Sequence, residues 1–216
     1  MSFNDRMTRM LMNSYMKEFR KQLSAALPHQ ADRIAAQIMP LSDTLYKDNE
    51  AMVVDDPSNS NIHLTSLALA SYRLLRQAGM ERRAALSIVQ VALVEPSRRK
   101  MSFFSRLAVR FWPDPLRLMA DISRSKARTA YGKTFIFEHH TDNMRTYFFS
   151  HVKKCLYHDF FKANGAPEMT PVFCAFDDNW SSTMQDPRSR VQSSRPTTIG
   201  AGDDMCRFEF RRREKQ

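Results

Sequence analysis

An α+β fold is predicted for this 216-residue chain by two observations. Apolar residues recur at helical spacing through the first half, and aromatic and β-branched residues alternate with period two after residue 133. The expected arrangement is N-terminal helices packed on a small antiparallel sheet formed mainly by the C-terminal half. The clearest strand comes last: in Cys206-Arg-Phe-Glu-Phe210, Cys206, Phe208 and Phe210 project to one side and Arg207, Glu209 and Arg211 to the other. Gly200 and Gly202 supply positive φ for the turn before it, and Asp203 and Asp204 favour the same geometry. An inward-pointing thiol therefore sits at the mouth of a hairpin.

The elements follow in order. Met7, Leu11, Tyr15, Phe19 and Leu23 form an apolar stripe on a helix over residues 4–27, ended by Pro28. A short helix over 29–39 buries Ile34, Ala35 and Ile38, and Pro40 is expected to close it. Residues 47–61, containing Asp55-Asp-Pro-Ser-Asn-Ser-Asn61, read as a loop leading into a helix over 62–77 with Gly79 as its C-terminal cap. A helix over 81–94 is expected to stop at Pro96.

Residues 98–112 form a further helix on which Met101, Phe104, Leu107, Ala108 and Phe111 share a face, away from Arg99, Arg106 and Arg110. That pattern suits a core helix with a solvated basic side better than one lying on a membrane surface. Residues 134–138 and 145–152 read as hairpin partners across 139–143, the second segment having a helical alternative. A helix over 156–163 ends at Asn164-Gly165. Another starts at Thr170-Pro171 with Thr170 as cap, its core stripe running through Val172, Phe173, Phe176, Trp180 and Met184. One domain, residues 1–216, with a helical part (1–130) and a motif-bearing α+β part (131–216), is the expected organisation.

Hydrophobic residues at 43% and charged residues at 26% exclude a disordered chain. No apolar run approaches the roughly 20 residues of a membrane span, so stable membrane insertion is not expected. A charged start without a signal-peptide core predicts a cytoplasmic protein. The net charge of +10 raises nucleic acid as a partner, but the basic residues are dispersed and carry no recognition signature, so none is expected. Three irregularly spaced cysteines, at 155, 174 and 206, fit reduced thiols rather than a disulfide framework.

Chemistry-bearing side chains concentrate late in the chain. Cys174, Asp177 and Asp178 stand three and four positions apart on a helix, so a thiol and a carboxylate share a face. Cys155 and His158 are one helical turn apart, and thiolate with imidazole can act as metal ligands or as nucleophile and base. A lone Cys-x-x-His pair is not a zinc site, and no metal is expected. Each cysteine could equally pack as a small hydrophobe.

Three blocks together resemble the L-2-amino-thiazoline-4-carboxylic acid hydrolase family. They are Cys155-Leu-Tyr-His-Asp-Phe-Phe, Asn164-Gly-Ala-Pro-Glu-Met-Thr-Pro-Val-Phe-Cys174-Ala-Phe-Asp177, and Arg195-Pro-Thr-Thr-Ile-Gly-Ala-Gly-Asp-Asp-Met-Cys206-Arg-Phe. The last block is also similar to the end of four-vinyl-reductase-type ligand-binding domains, whose likeness implies a non-catalytic small-ligand module instead. The hydrolase resemblance implies ring-opening hydrolysis: water adds to the amidine-like carbon of a small cyclic amino acid and a C–N bond breaks, giving an N-carbamoyl product.

On that reading Cys174 is the nucleophile, Asp177 the base or amidine anchor, and Arg195 the clamp for the substrate carboxylate. Cys206 and His158 are second choices for catalysis, and Asp178, Thr198 and Trp180 are further substrate contacts. The mechanism calls for no cofactor. The implied partner is a small carboxylate-bearing substrate, and self-association into a homo-oligomer is compatible with it.

Overall fold

The computed structural model describes residues 3–177, 184 and 189–213, with side chains described at these positions except 3–5 and 99–111. Among them are seven α-helices, mostly N-terminal, and one four-stranded antiparallel sheet in the C-terminal half, the α+β class the sequence predicts. The chain divides into two compact units, Met1–Pro96 with Leu156–Phe176 and Ser97–Cys155 with Asp177–Gln216.

The first unit is built around α3 (Asp56–Gln77). Its buried positions lie on every side, from Ile62, Leu64 and Thr65 to Leu74 and Leu75, the pattern of a helix enclosed by others. On α1 (Phe3–Ala26) the predicted stripe is buried only from Tyr15 through Phe19 and Leu23, whereas Met7 is exposed. Two expected stops are overridden.

The first is at Pro40, which lies inside α2 (Ala31–Asp48). Pro40 is exposed, while Ala31, Ile34, Ile38, Ser42 and Leu45 continue one buried stripe past it, so burial on the inner face outweighs one lost hydrogen bond on the wet face. The second is at Pro96, inside α4 (Arg82–Phe111), which unites the two helices expected on either side of it; the boundary between the units falls just after this proline. The amphipathic reading of residues 99–111 concerns side chains outside those described.

Of the segment 47–61 read as a loop, residues 56–61 are instead the first turns of α3. The Asp55 side chain accepts from the Ser58 N–H at 2.8 Å, the Ser58 hydroxyl receives the Asp55 N–H at 2.9 Å, and Pro57 fits the first turn, where no backbone donor is needed. At the other end Gly79, at φ 85°, sends its N–H to Arg76 while Met80 bonds Leu75, the left-handed cap predicted there.

Helix α6 (Leu156–Ala163) ends at Asn164-Gly165 as expected. Its Phe160 and Phe161 are fully buried. Helix α7 (Thr170–Asp177) follows a 3₁₀ turn, so Thr170 is already helical and is not the expected cap; its hydroxyl has no hydrogen-bond partner among the described residues. Val172 and Phe173 are buried as predicted, and Trp180 lies outside the described residues.

The second unit holds the sheet, ordered β1-β2-β4-β3, from β1 (Ile136–Thr141), β2 (Tyr147–Lys154), β3 (Val191–Ser194) and β4 (Cys206–Arg212). The β1–β2 hairpin confirms the strand reading of 145–152 over its helical alternative, but β1 runs on through His139, His140 and Thr141, so the connection, 142–146, lies three residues later than expected. Strand β3 falls in a stretch that reads only as polar: Val191 and Ser193 point inward while Gln192 and Ser194 are exposed. Of the two glycines before β4, only Gly202 takes positive φ, at 99°; Gly200 sits in a 3₁₀ turn, Ile199–Ala201.

One helix that the sequence reading left unassigned covers the sheet. Helix α5 (Pro115–Lys126) starts at Asp114, whose side chain accepts the Arg117 N–H, with Pro115 at the first position. Its Leu116, Met119 and Ala120 pack with Phe148, Met184, Val191 and Phe210 as the core of this unit. Arg212 at the end of β4 bonds both Asp114 oxygens at 2.7 Å, tying the last strand to the helix start.

Candidate active site

Strand register fixes what the inner face of the sheet presents. Opposite residues share a face, so Phe137, Val152 and Cys206 form one row, His139, Ser150 and Phe208 the next, and Thr141, Phe148 and Phe210 the third. Ser150 is thus a small residue in a grid of large ones. It is 2% exposed, and the Ser123 hydroxyl of α5 donates to its oxygen at 3.0 Å. Two serines meet where a helix packing on a sheet would normally place apolar bulk, and a cavity of about 240 Å³ opens beside them.

Its lining comes from four places: Met119, Ile122, Ser123 and Lys126 on one stripe of α5, Tyr131, the sheet residues Phe137, Ser150, Phe208 and Phe210, and Asp177. A π-helical turn, Ala127–Tyr131, follows Lys126 directly. Its wider winding brings residues five apart to one side, which an α-turn would not do, so Lys126 and Tyr131 both reach the same space. Tyr131 donates its hydroxyl to Asp177 Oδ1 at 2.9 Å and packs on Phe135 and Phe137, with ring centroids 4.8 and 5.4 Å away. The carboxylate is therefore held by an oriented phenol at the end of α7.

Cys206 occupies the next row of the sheet. It is buried, and its sulfur accepts the Ile199 N–H at 3.3 Å. Burial pushes this thiol up; the Ile199 bond and the nearby Arg195 charge pull it back in part, while Asp177 and Asp203 push it further up. At neutral pH the sulfur is held as thiol, a weaker nucleophile than thiolate.

Arg195 and Asp177, the latter distant in sequence, thus each lie near enough to Cys206 to act on its sulfur electrically. The Arg195 guanidinium lies 5.4 Å from the centroid of the Phe208 ring, which is part of the cavity wall. Thr198 shapes the preceding turn: its hydroxyl accepts the Ala201 N–H at 3.2 Å and its own N–H donates to Asp203 at 2.8 Å.

The remaining expected residues fall as follows. Cys174 is half-buried on α7, one helical turn before Asp177, among the residues of the first unit. His158, on α6 in the same unit, has a buried Nδ1 without a hydrogen-bond partner among the described residues. Asp178 and Trp180 lie outside the described residues. Among the described residues no cluster of three or more His, Cys, Asp or Glu suits a metal ion, and no helix is long and apolar enough to cross a membrane.

Sequence reasoning missed Ser123, Lys126, Tyr131 and Ser150. The Phe148-Phe-Ser-His-Val152 strand does show one small polar residue on an otherwise apolar inward face, a signal for a gap. His139, directly across from Ser150, also has a buried Nε2 without a partner among the described residues, and burial pulls its imidazole below the usual range.

No curated protein and no solved structure matches the chain significantly. The family model described as L-2-amino-thiazoline-4-carboxylic acid hydrolase matches residues 60–210, a span that includes the cavity wall, Asp177, Arg195 and Cys206. The chain belongs to the L-2-amino-thiazoline-4-carboxylic acid hydrolase family.

Proposed function

We propose that the chain hydrolyses a small, cyclic, amidine-like amino acid of the 2-aminothiazoline-4-carboxylate type in the cavity of its second unit. One observation carries the reading: a carboxylate fixed by a tyrosine hydroxyl lies on the wall of a compact space otherwise lined largely by aromatic and apolar side chains. An amidinium is a flat cation whose N–H groups suit a carboxylate and whose face suits aromatic rings. Asp177 holds the amidinium or orients the attacking water, and Tyr131 keeps it in place.

Cys174 is the proposed nucleophile, on the strength of its place in the family motif. Cys206 and His158 are the second choices, Cys206 requiring loss of its proton first. Asp178, Thr198 and Trp180 are proposed as further contacts. The substrate carboxylate needs a cation, for which Arg195 is the candidate from the sequence and Lys126 the one on the cavity wall.

Addition of one water to the amidine carbon gives a tetrahedral carbon bearing oxygen, sulfur and two nitrogens. Departure of sulfur yields N-carbamoyl-cysteine, with a free thiol. Departure of the ring nitrogen yields the S-carbamoyl isomer, with a free amine. The expected N-carbamoyl product therefore goes with C–S scission, and C–N scission with its isomer.

Incubating the purified protein with L-2-amino-thiazoline-4-carboxylate and assaying thiol and amine separates the two outcomes. Asp177→Asn is expected to lower turnover by roughly a hundredfold or more and Cys174→Ala by at least about tenfold, with the fold retained. No product with the unmodified protein, together with a raised melting temperature on adding the compound, would replace catalysis by the ligand-binding reading.

A further inference from the structure

Among the described residues, the two charged side chains on the cavity wall have opposite sign: Asp177 at the end of α7 and Lys126 at the end of α5. Lys126 owes its position to two features. It continues the stripe of Met119, Ile122 and Ser123 on α5, and it precedes the π-helical turn that brings Tyr131, the partner of Asp177, to the same side. Lys126 and Asp177 on the border of a mostly apolar space offer the two kinds of charge that the carboxylate and the cation of a zwitterion would meet.

From this we infer that Lys126 fixes the ligand's carboxylate, making the site selective for compact zwitterions that combine a planar cation with a carboxylate. The inference rests on reading the cavity as the amidine-binding site. Arg195 differs in placement: its guanidinium stacks on Phe208 and acts on the Cys206 sulfur, and it is not part of the cavity wall. Lys126 is a binding residue with a specificity role, and Arg195 is a positioning residue for the Cys206 turn.

The test compares L-2-amino-thiazoline-4-carboxylate with its 4-carboxamide, measuring binding by calorimetry and thermal shift in wild type, Lys126→Met, Lys126→Arg and Arg195→Met. Wild type is expected to prefer the carboxylate by roughly tenfold or more. Lys126→Met should bind both compounds alike, Lys126→Arg should restore much of the preference, and Arg195→Met should keep it. Should Lys126→Met fail to fold, Lys126→Gln serves in its place.

Retention of the full preference by the charge-removing Lys126 variant, or its loss in Arg195→Met alone, overturns the inference and leaves the cavity reading intact. Failure of wild type to bind either compound overturns both.

Discussion

The two units solve the same packing problem differently. In the first, several polar groups that burial would otherwise penalise are paired across elements, while the Thr170 hydroxyl and His158 Nδ1 have no hydrogen-bond partner among the described residues. Asn49 and Asn164 exchange side-chain hydrogen bonds at 3.2 and 2.9 Å, Tyr157 donates to Asn61 at 3.0 Å, and Tyr72 donates to Glu168 at 2.7 Å. Around them Tyr157, Phe161 and Phe173 pack ring against ring at 4.8 and 5.1 Å. In the second, Ser123 and Ser150 satisfy each other but leave a space beside them. Filled layers serve stability; a layer with small facing residues makes room for a ligand.

The largest expected effect is in the filled unit. Phe160→Ala removes a fully buried ring packed edge-on against Phe161, and denaturant unfolding should show a loss of about 3–5 kcal/mol. A loss below about 1 kcal/mol would mean the first unit is no better packed than the second. Next comes Asp114→Ala, which removes the cap of α5 and the anchor of Arg212; about 1–2 kcal/mol is expected in the same measurement, because both partners are partly exposed.

The smallest effect is confined to acid. Hydrogen bonds from the Thr146 hydroxyl and from the backbone N–H groups of Thr146 and Tyr147 hold the Asp142 carboxyl down to about 2. Its folded value lies below its unfolded one, so its contribution is present above about pH 4 and is lost as pH falls towards 2. Melting temperatures of Asp142→Asn followed from pH 5 to pH 2 should decline less steeply than those of the unmodified chain. Parallel curves would remove this turn from the acid limb.

Legibility followed the range of the interactions. The β4 alternation, the hairpin, the Gly79 cap and the end of α6 are set by neighbours a few positions away, and the residues declare them. Pro40 and Pro96 were misread because a local penalty at an otherwise helical position yields to a stripe that continues beyond it at Pro40, while α4 simply runs on through Pro96. Asp55 and Ser58 could have been recognised as a capping pair, whereas β3 could not: four mostly polar residues become a strand only because β4 offers them a ladder.

Of the site, Asp177, Arg195 and Cys206 were visible as motif residues, and Lys126, Tyr131, Ser123 and Ser150 were not, because nothing in their own neighbourhood marks them until α5 lies on the sheet. Short-range periodicity and residue chemistry were enough to set the α+β class, the family blocks and the inward face of β4. Where the empty volume lies and which charges border it emerge with the packed fold, since a cavity is the difference between two surfaces brought together from distant parts of the chain.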